Sequence, residues 1–174
     1  MKASELKLMK LLLKEGLLSV NPDGTINLKL REIGTAPRLR SQMAETLVQK
    51  IVDDTSRYRI DYGVIASAEE MCEIGPIVAD LLERPHFTIL KNSSGRHRIT
   101  GKINPEDQIL LLDSTFSNDN LVDAAWKCEN SGADVKCAIV YLDREQRKKD
   151  LKPRWFPVYP VVTEAQVKEH ILGR

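Results

Sequence analysis

The stretch that decides the fold is Gln108-Ile109-Leu110-Leu111-Leu112-Asp113-Ser114-Thr115-Phe116-Ser117-Asn118-Asp119-Asn120. Its four consecutive apolar residues are too few for a helix and are bounded by turn-forming residues, which predicts a buried parallel strand. We expect the strand to end at Asp113 and a polar loop to lead into a helix that begins near Asp119 or Asn120. Open α/β sheets bind their ligands where a strand, a loop and a helix N-terminus follow in this order, and such a turn suits an anion. An ordinary βα turn with an N-cap residue explains the same residues equally well.

The rest of the chain alternates between helical and extended apolar patterns. This alternation predicts an α/β fold with a mostly parallel central sheet, flanked by helices and joined by right-handed crossovers. A capping box at Thr163 and Gln166 marks the start of the last helix. The segment 91–98 is polar and lacks an apolar anchor, which indicates a loop. The predicted strands are 25–30, 60–65, 86–90, 99–103, 109–113, 135–142 and 155–162, and the predicted helices are 4–15, 37–53, 68–82, 119–131 and the segment after 163.

Composition limits the classes of function. The 174 residues suffice for one domain with a substantial core, and the formal charge of +1 with 42% hydrophobic residues indicates neither disorder nor a basic nucleic-acid surface. No apolar run is long enough to span a membrane, and no signal-like segment opens the sequence, so we expect a cytoplasmic protein. The three cysteines, which we expect to be reduced core residues without metal-ligand spacing, are Cys72, Cys128 and Cys137.

Three segments carry a resemblance to a known family. They are Thr100-Gly101-Lys102-Ile103-Asn104-Pro105, Ser131-Gly132-Ala133-Asp134-Val135 and Ala138-Ile139-Val140-Tyr141-Leu142-Asp143-Arg144-Glu145-Gln146, of which the Asp-Arg-Glu-Gln run is the most specific. With the order of the predicted elements, they resemble the orotate phosphoribosyltransferases over nearly the whole chain. The resemblance implies a type I phosphoribosyltransferase-like fold in a single domain, 1–174. It also implies a small hood from about 1–35 and 155–174, over a core of about 36–154.

The family's phosphoribosyl diphosphate motif follows an apolar strand with two acidic residues and a small, glycine-containing loop. Asp113 matches the first acid, but Ser114 stands in place of the second. Phe116 follows, and Asn118 and Asp119 replace the small residues and glycine of the loop. An aspartate in a phosphate cradle repels the ligand. The candidate ligand-binding residues of this segment are Asp113, Ser114, Thr115, Ser117 and Asn118.

The family's pyrophosphate loop corresponds here to Ser67-Ala68-Glu69-Glu70. Two carboxylates thus lie where the resemblance implies several phosphate charges. Glutamates are also favourable in the first turn of a helix, where the dipole stabilises them, and this explanation involves no ligand.

The family's catalytic loop and its orotate-binding arginine correspond to two basic segments. The loop candidates are Lys91, Arg96, His97 and Arg98, in a segment that is shorter than the family pattern and lacks its basic spacing. A solvated basic loop is the alternative. Arg144 matches the arginine that contacts the orotate carboxylate, for which a planar guanidinium is well suited, or else it is a surface arginine.

Three hypotheses of function follow. The first is a catalytically impaired homologue that acts as a binding or regulatory subunit, as a homodimer or as a heteromer with a related transferase, with a small anionic or nucleotide ligand. The second is a divergent active orotate phosphoribosyltransferase that makes orotidine 5′-monophosphate with Mg²⁺, using Asp113 and Arg144. The third is RNA binding through the basic residues between 144 and 154, which the interspersed acids and the balanced charge disfavour. We assign no catalytic residue, no metal ligand and no resident cofactor.

Overall fold

The computed structural model of the protein describes residues 1–92, 97–116, 118–144 and 156–173. The positions in these ranges for which only the backbone is described are Arg31, Gly34, Thr35, Asn118, Asp119 and Leu172.

The described ranges hold eight strands, five α-helices and two 3-10 helices. The strands are β1 (Leu18–Val20), β2 (Ile26–Leu28), β3 (Val64–Ala68), β4 (His86–Lys91), β5 (His97–Thr100), β6 (Gln108–Phe116), β7 (Asp134–Asp143) and β8 (Val158–Thr163). The α-helices are α1 (Ala3–Lys14), α2 (Pro37–Tyr58), α3 (Gly75–Leu81), α4 (Asn118–Glu129) and α5 (Glu164–Leu172). The 3-10 helices are Leu30–Thr35 and Glu69–Met71.

Six strands form the main sheet in the order β5-β4-β3-β6-β7-β8, and β1 and β2 form a separate antiparallel pair. Every neighbouring pair in the main sheet is parallel except β4 and β5. The chain runs from β3 outward to β4 and β5 and then returns to place β6 on the other side of β3. The strand order therefore reverses between β3 and β6, and the carboxyl ends of these two strands meet at a topological switch point, where open α/β sheets bind ligands.

Alternate residues of β6 belong to two hydrophobic cores, one on each face of the sheet. Leu110 and Leu112 pack in a core that also holds the buried faces of α1, α2, α3 and the start of α5. Ile109 and Leu111 pack in a second core beneath α4. All four side chains are fully buried, as expected for a parallel strand that is covered on both faces.

Much of the predicted architecture is confirmed. The sheet is mostly parallel and flanked by helices, with β5 and β8 as its edge strands. The α4 side chains of Leu121, Ala124, Ala125 and Cys128 are buried. The capping box of α5 forms as expected. The hydroxyl of Thr163 accepts from the Gln166 N–H at 3.3 Å, and the Gln166 side chain accepts from the Thr163 N–H at 2.9 Å.

The predicted end of the central strand at Asp113 is wrong. β6 continues to Phe116, because Asp113, Thr115 and Phe116 extend the ladder with β7 opposite Val140, Leu142 and Asp143. Pairing with a long neighbouring strand satisfies the backbone groups that turn-forming residues would otherwise satisfy locally. α4 begins at Asn118, so neither Asp119 nor Asn120 is its N-cap, and one residue separates the strand from the helix.

Three other predicted segments are also corrected. The strand predicted at 60–65 corresponds to β3, which begins only at Val64. The five residues of β3 are the buried ones that pair with β4 on one side and β6 on the other. The helix predicted at 68–82 is a 3-10 turn at Glu69–Met71 followed by the shorter α3. The segment 91–98 is not a loop throughout, because Lys91 ends β4 and pairs with His97 in β5.

The cysteine prediction holds for two residues and is wrong for the third. Cys128 and Cys137 are buried, whereas Cys72 is exposed. None of the helices in the described ranges has the length and apolar character that crossing a membrane requires. Residues 145–155, which carry most of the basic segment of the RNA hypothesis, lie outside the described residues, and the division into hood and core stays a prediction.

Candidate ligand-binding cleft at the sheet switch point

A cleft of about 290 Å³ opens at the carboxyl ends of β3 and β6. Its walls come from the 3-10 turn after β3, from β4 and β5, and from the first turn of α4. The end of β7 and the last residue of β2, Leu28, complete it. The separate β1-β2 pair therefore contributes directly to the cleft.

The turn after β3 approaches the sheet closely because Gly75 has no side chain. A Cβ at this position would lie 2.5 Å from the Cβ of Ser67 and 2.8 Å from Nε2 of His86. The Ser67 hydroxyl and His86 Nε2 are themselves hydrogen-bonded at 2.9 Å, and burial lowers the pKa of His86. α3 thus packs tightly against β3 and β4, and this packing holds the preceding turn, with Glu69 and Glu70, over the end of the sheet.

The hydroxyl of Ser114 donates a hydrogen bond to a carboxylate oxygen of Glu70 across the cleft. Ser114 is 1% exposed and lies in β6, whereas Glu70 is exposed and lies in the turn after β3. The contact joins the two strands that flank the switch point. The Glu70 carboxylate therefore lies at the end of the central strand, where an anionic ligand would bind.

Asp113 lies beside this contact with 5% of its surface exposed. Burial raises the pKa of its carboxyl to about 7; the N–H of Ser114, which donates to it at 2.7 Å, opposes the increase, and the charge of Glu70 adds to it. Near neutral pH the carboxyl is therefore divided between its protonated and ionised forms. As an acid it donates a hydrogen bond to a ligand, and as a base it accepts one.

Lys91 connects the two sides of the cleft through its backbone and its side chain. Its N–H donates to Glu69 at 3.3 Å, and its ammonium donates to the side-chain oxygen of Asn120 at 2.9 Å. The lysine is exposed at the end of β4, and its ammonium group contacts the first turn of α4 through Asn120. Glu69 is held against the end of the same strand.

Two further basic side chains line the cleft. His97 is half-buried in β5, and burial lowers the pKa of its imidazole, which disfavours the charged ring. Arg144 follows the end of β7 and is half-buried. Its Nε has no hydrogen-bond partner among the described residues.

The part of the cleft lining that the structure describes carries no excess of positive charge. Lys91 and Arg144 balance Glu69 and Glu70, and Asp113 adds up to one further negative charge. Within the described residues no three His, Cys, Asp or Glu side chains converge as metal ligands.

The structure brings together six of the ten candidate residues. The cleft is lined by Asp113, Ser114, Thr115, Arg144, Lys91 and His97. Arg98 does not line it; this exposed residue of β5 borders a separate surface depression with Lys102. Ser117 and Arg96 lie outside the described residues, and Asn118 is described only as the first residue of α4. The cleft residues that sequence reasoning did not identify are Leu28 and Ile89.

A mostly parallel sheet with this strand order, covered on both faces and open at the switch point, defines a protein of the type I phosphoribosyltransferase fold. No model of a known protein family matches the chain. Solved structures of phosphoribosyltransferases do match it, at sequence identities that show the fold alone.

The UMP synthase of Leishmania donovani superposes with a TM-score of 0.75 and 19% identity over 93% of this chain, which spans 36% of that larger protein. The Mycobacterium tuberculosis orotate phosphoribosyltransferase, solved with inorganic phosphate, gives a TM-score of 0.70 and 14% identity over 95% of this chain and 99% of its own. Adenine phosphoribosyltransferase from Thermoanaerobacter pseudethanolicus gives a TM-score of 0.64 and 13% identity over 89% of this chain and 99% of its own. The chain thus shares its fold with orotate and adenine phosphoribosyltransferases.

Proposed function

We propose that this chain is a binding or regulatory subunit with a phosphoribosyltransferase fold that does not transfer phosphoribosyl groups. The observation that carries the proposal is the hydrogen bond from Ser114 to Glu70. In the family that the sequence resembles, the second acid of the diphosphate motif corresponds to Ser114, and Glu70 falls in the pyrophosphate loop. Here a carboxylate of the protein and a neutral hydroxyl contact each other instead.

The charge of the cleft supports the proposal. A diphosphate brings several negative charges close to Glu69 and Glu70, and each like-charge pair at about 4 Å costs about 4 kcal/mol at an effective dielectric constant of 20. Lys91 and Arg144 are the cations available in the described lining, and they only balance the two glutamates. A ligand with little net negative charge suits this cleft better than a diphosphate.

The backbone at the end of β6 also supports the proposal that the chain does not transfer phosphoribosyl groups. A phosphate-binding nest needs consecutive N–H groups that converge on one point. β6 is extended through Phe116 and α4 begins at Asn118, so a single residue connects them. The extended residues of β6 direct their N–H groups alternately to either side, and Asp113, Thr115 and Phe116 pair with β7.

We further propose that the chain acts in the cytoplasm as a homodimer or as a heteromer with a related transferase. This part of the proposal rests on the resemblance, whose family builds sites across a two-fold interface, and on the frequency of two-fold symmetric homodimers. Light scattering at tens of micromolar tests it: a dimer mass supports the proposal, and a monomer mass without a transferase partner contradicts it.

A divergent, active orotate phosphoribosyltransferase is the second candidate, and two observations favour it. Arg144 lines the cleft with a guanidinium nitrogen that has no partner among the described residues, as a carboxylate-binding arginine would before its ligand arrives. Asp113 is buried in the same cleft with a pKa of about 7, and perturbed values of this kind are common among functional carboxyl groups.

Orotate consumption with phosphoribosyl diphosphate and Mg²⁺ separates the two candidates. We expect no turnover by the unmodified chain or by Ser114→Asp, because the second variant still carries Glu69, Glu70 and Asp119. Combining Ser114→Asp with Asp119→Gly and with Glu69→Gln and Glu70→Gln should recover weak ligand binding, since these residues act as one site and their effects are non-additive. Circular dichroism of each variant is the control for folding. Substantial turnover by the unmodified chain, lost in Arg144→Ala, would establish the enzyme instead.

A further inference from the structure

A second cavity, of about 550 Å³, lies between α1 and the start of α2, and the residues that line it are separate from the cleft. Its floor is apolar, with Leu11 of α1 half-buried and Leu39 of α2 6% exposed. Ala36 and Pro37 complete this floor at the beginning of α2. The volume falls within the roughly 300–1,000 Å³ that is usual for small-molecule sites.

Four cations surround this floor. Lys7, Lys10 and Lys14 are spaced by three and four residues, so they share one face of α1 with Leu11 between them, and Arg38 lies opposite on α2. All four side chains are exposed, and none of them pairs with a carboxylate among the described residues. Glu15 is the one acidic residue of the lining.

The arrangement leaves positive charge uncompensated. Like charges three or four residues apart on a helix repel each other and destabilise it slightly. α2 begins at this groove without a side-chain cap, so the positive end of its dipole adds to the same field. A bound anion would relieve the repulsion, and an apolar body attached to it would cover Leu11 and Leu39.

We propose that this groove binds a small organic anion: an apolar ring system or short chain that carries a carboxylate, sulfonate or phosphate. The apolar body lies on Leu11, Ala36 and Leu39, and the anionic group pairs with Lys10, Lys14 or Arg38. The charge complementarity selects an anion over a neutral or cationic ligand, and the volume of the groove suits a small molecule. The site is independent of whether the cleft at the switch point binds a nucleotide.

The test uses two fluorescent probes that differ by one sulfonate, 8-anilinonaphthalene-1-sulfonate and the uncharged N-phenyl-1-naphthylamine. The protein is the full chain, unmodified or with Lys10→Gln and Lys14→Gln. The control variant carries Lys102→Gln and Lys136→Gln, which change the net charge equally outside the groove. Because all these positions are charged residues outside the apolar core, the variants should fold, and circular dichroism verifies this.

We expect saturable binding of the sulfonate to the unmodified chain, with amide shifts in ¹H–¹⁵N spectra centred on residues 7–15 and 36–42. The groove variant should bind the sulfonate about tenfold more weakly and the neutral probe unchanged, whereas the control variant should match the unmodified chain. Equal weakening in both variants, shifts centred elsewhere, or an absence of saturable binding would overturn the proposal. Concentration-dependent dimerisation that the groove variant abolishes would also overturn it, because the groove would then be an interface between copies of the chain.

Discussion

Ser114 and Glu70 are forty-four residues apart in the sequence, and the hydroxyl of one donates to the carboxylate of the other at the end of the central strand. The contact fixes the turn after β3 against β6 at the switch point of the sheet. It also places a protein carboxylate where a ligand anion would bind. Its consequences for stability can be measured without knowledge of the ligand.

Replacing Ser114 with Asp should destabilise the fold by about 3 kcal/mol, because the new carboxylate is buried and lies close to the carboxylates of Glu70 and Asp113. Glu70→Gln should cost less by itself, about 1 kcal/mol, since the exposed amide still accepts the hydroxyl hydrogen bond. The double variant combines Ser114→Asp with Glu70→Gln, so the new carboxylate no longer faces a charged Glu70. It should therefore be less destabilised than the sum of the two single variants, which is a favourable coupling between the two sites. Urea unfolding of the four proteins measures the cycle, and strictly additive costs would show that the two side chains do not interact.

Asp113 should make stability fall as the pH rises through the neutral range. An aspartate in the unfolded chain has a pKa near 4, whereas burial raises that of folded Asp113 to about 7. The folded state therefore holds a proton that the unfolded state has lost between these values. The stability advantage is fully present below pH about 4 and is lost as the pH rises through about 7.

The slope of this loss should be about 1.4 kcal/mol for each pH unit between pH 5 and 7. Asp113→Asn keeps an oxygen for the Ser114 N–H but cannot ionise, so it should remove most of this slope and be more stable than the unmodified chain at pH 8. Chemical unfolding at pH 5, 6, 7 and 8 provides the measurement. Parallel pH profiles for the two proteins would mean that Asp113 is already ionised at pH 5.

Gly75→Ala should destabilise the fold by about 1–3 kcal/mol, the usual cost of overpacking, because the new methyl group would lie 2.5 Å from the Cβ of Ser67. Gly63→Ala is the matched control. No heavy atom lies within 4 Å of its new methyl group, and its backbone does not require glycine, so its effect should stay within about 0.5 kcal/mol. Thermal unfolding distinguishes them, and equal midpoints would disprove the close approach of α3 to β3.

One thiol of three should react rapidly with a thiol reagent in the native protein. Cys72 is exposed, whereas burial raises the pKa of Cys128 and of Cys137 to about 12, which removes their reactive thiolates at pH 8. In denaturant all three should react. A Cys72→Ser variant that still shows a fast native thiol would mean that one of the buried cysteines becomes accessible without global unfolding.

The sequence was sufficient to predict the sheet but not the geometry of its carboxyl edge. The apolar run Ile109–Leu112 and the capping box at Thr163 express local preferences that the fold keeps. The end of β6 could not be predicted in this way, because Asp113, Ser114 and Thr115 have the composition of a turn. Their extended conformation depends on β7, a partner about twenty-five residues later in the sequence.

The candidate site was only partly predictable from the sequence, again because its contacts depend on partners that are distant in the sequence. Residues next to the central strand were identifiable from the order of strand and helix, and Arg144 from its motif. The contacts between Lys91 and Asn120 and between Ser114 and Glu70 join distant segments, so no local pattern encodes them. Leu28 reaches the cleft only because the β1-β2 pair packs beside the sheet, and an alternating strand pattern by itself does not indicate this position.

The most direct test of the central claim is a calorimetric titration of the unmodified chain with phosphoribosyl diphosphate in the presence of Mg²⁺, with melting temperature as a second readout. We expect no saturable heat and no rise in melting temperature at millimolar ligand, because the cleft opposes a diphosphate with Glu69, Glu70 and Asp113. A ligand present at one hundred times its dissociation constant would stabilise the fold by about 2.7 kcal/mol. A clear rise in melting temperature together with a stoichiometric binding isotherm would show that the cleft binds the diphosphate.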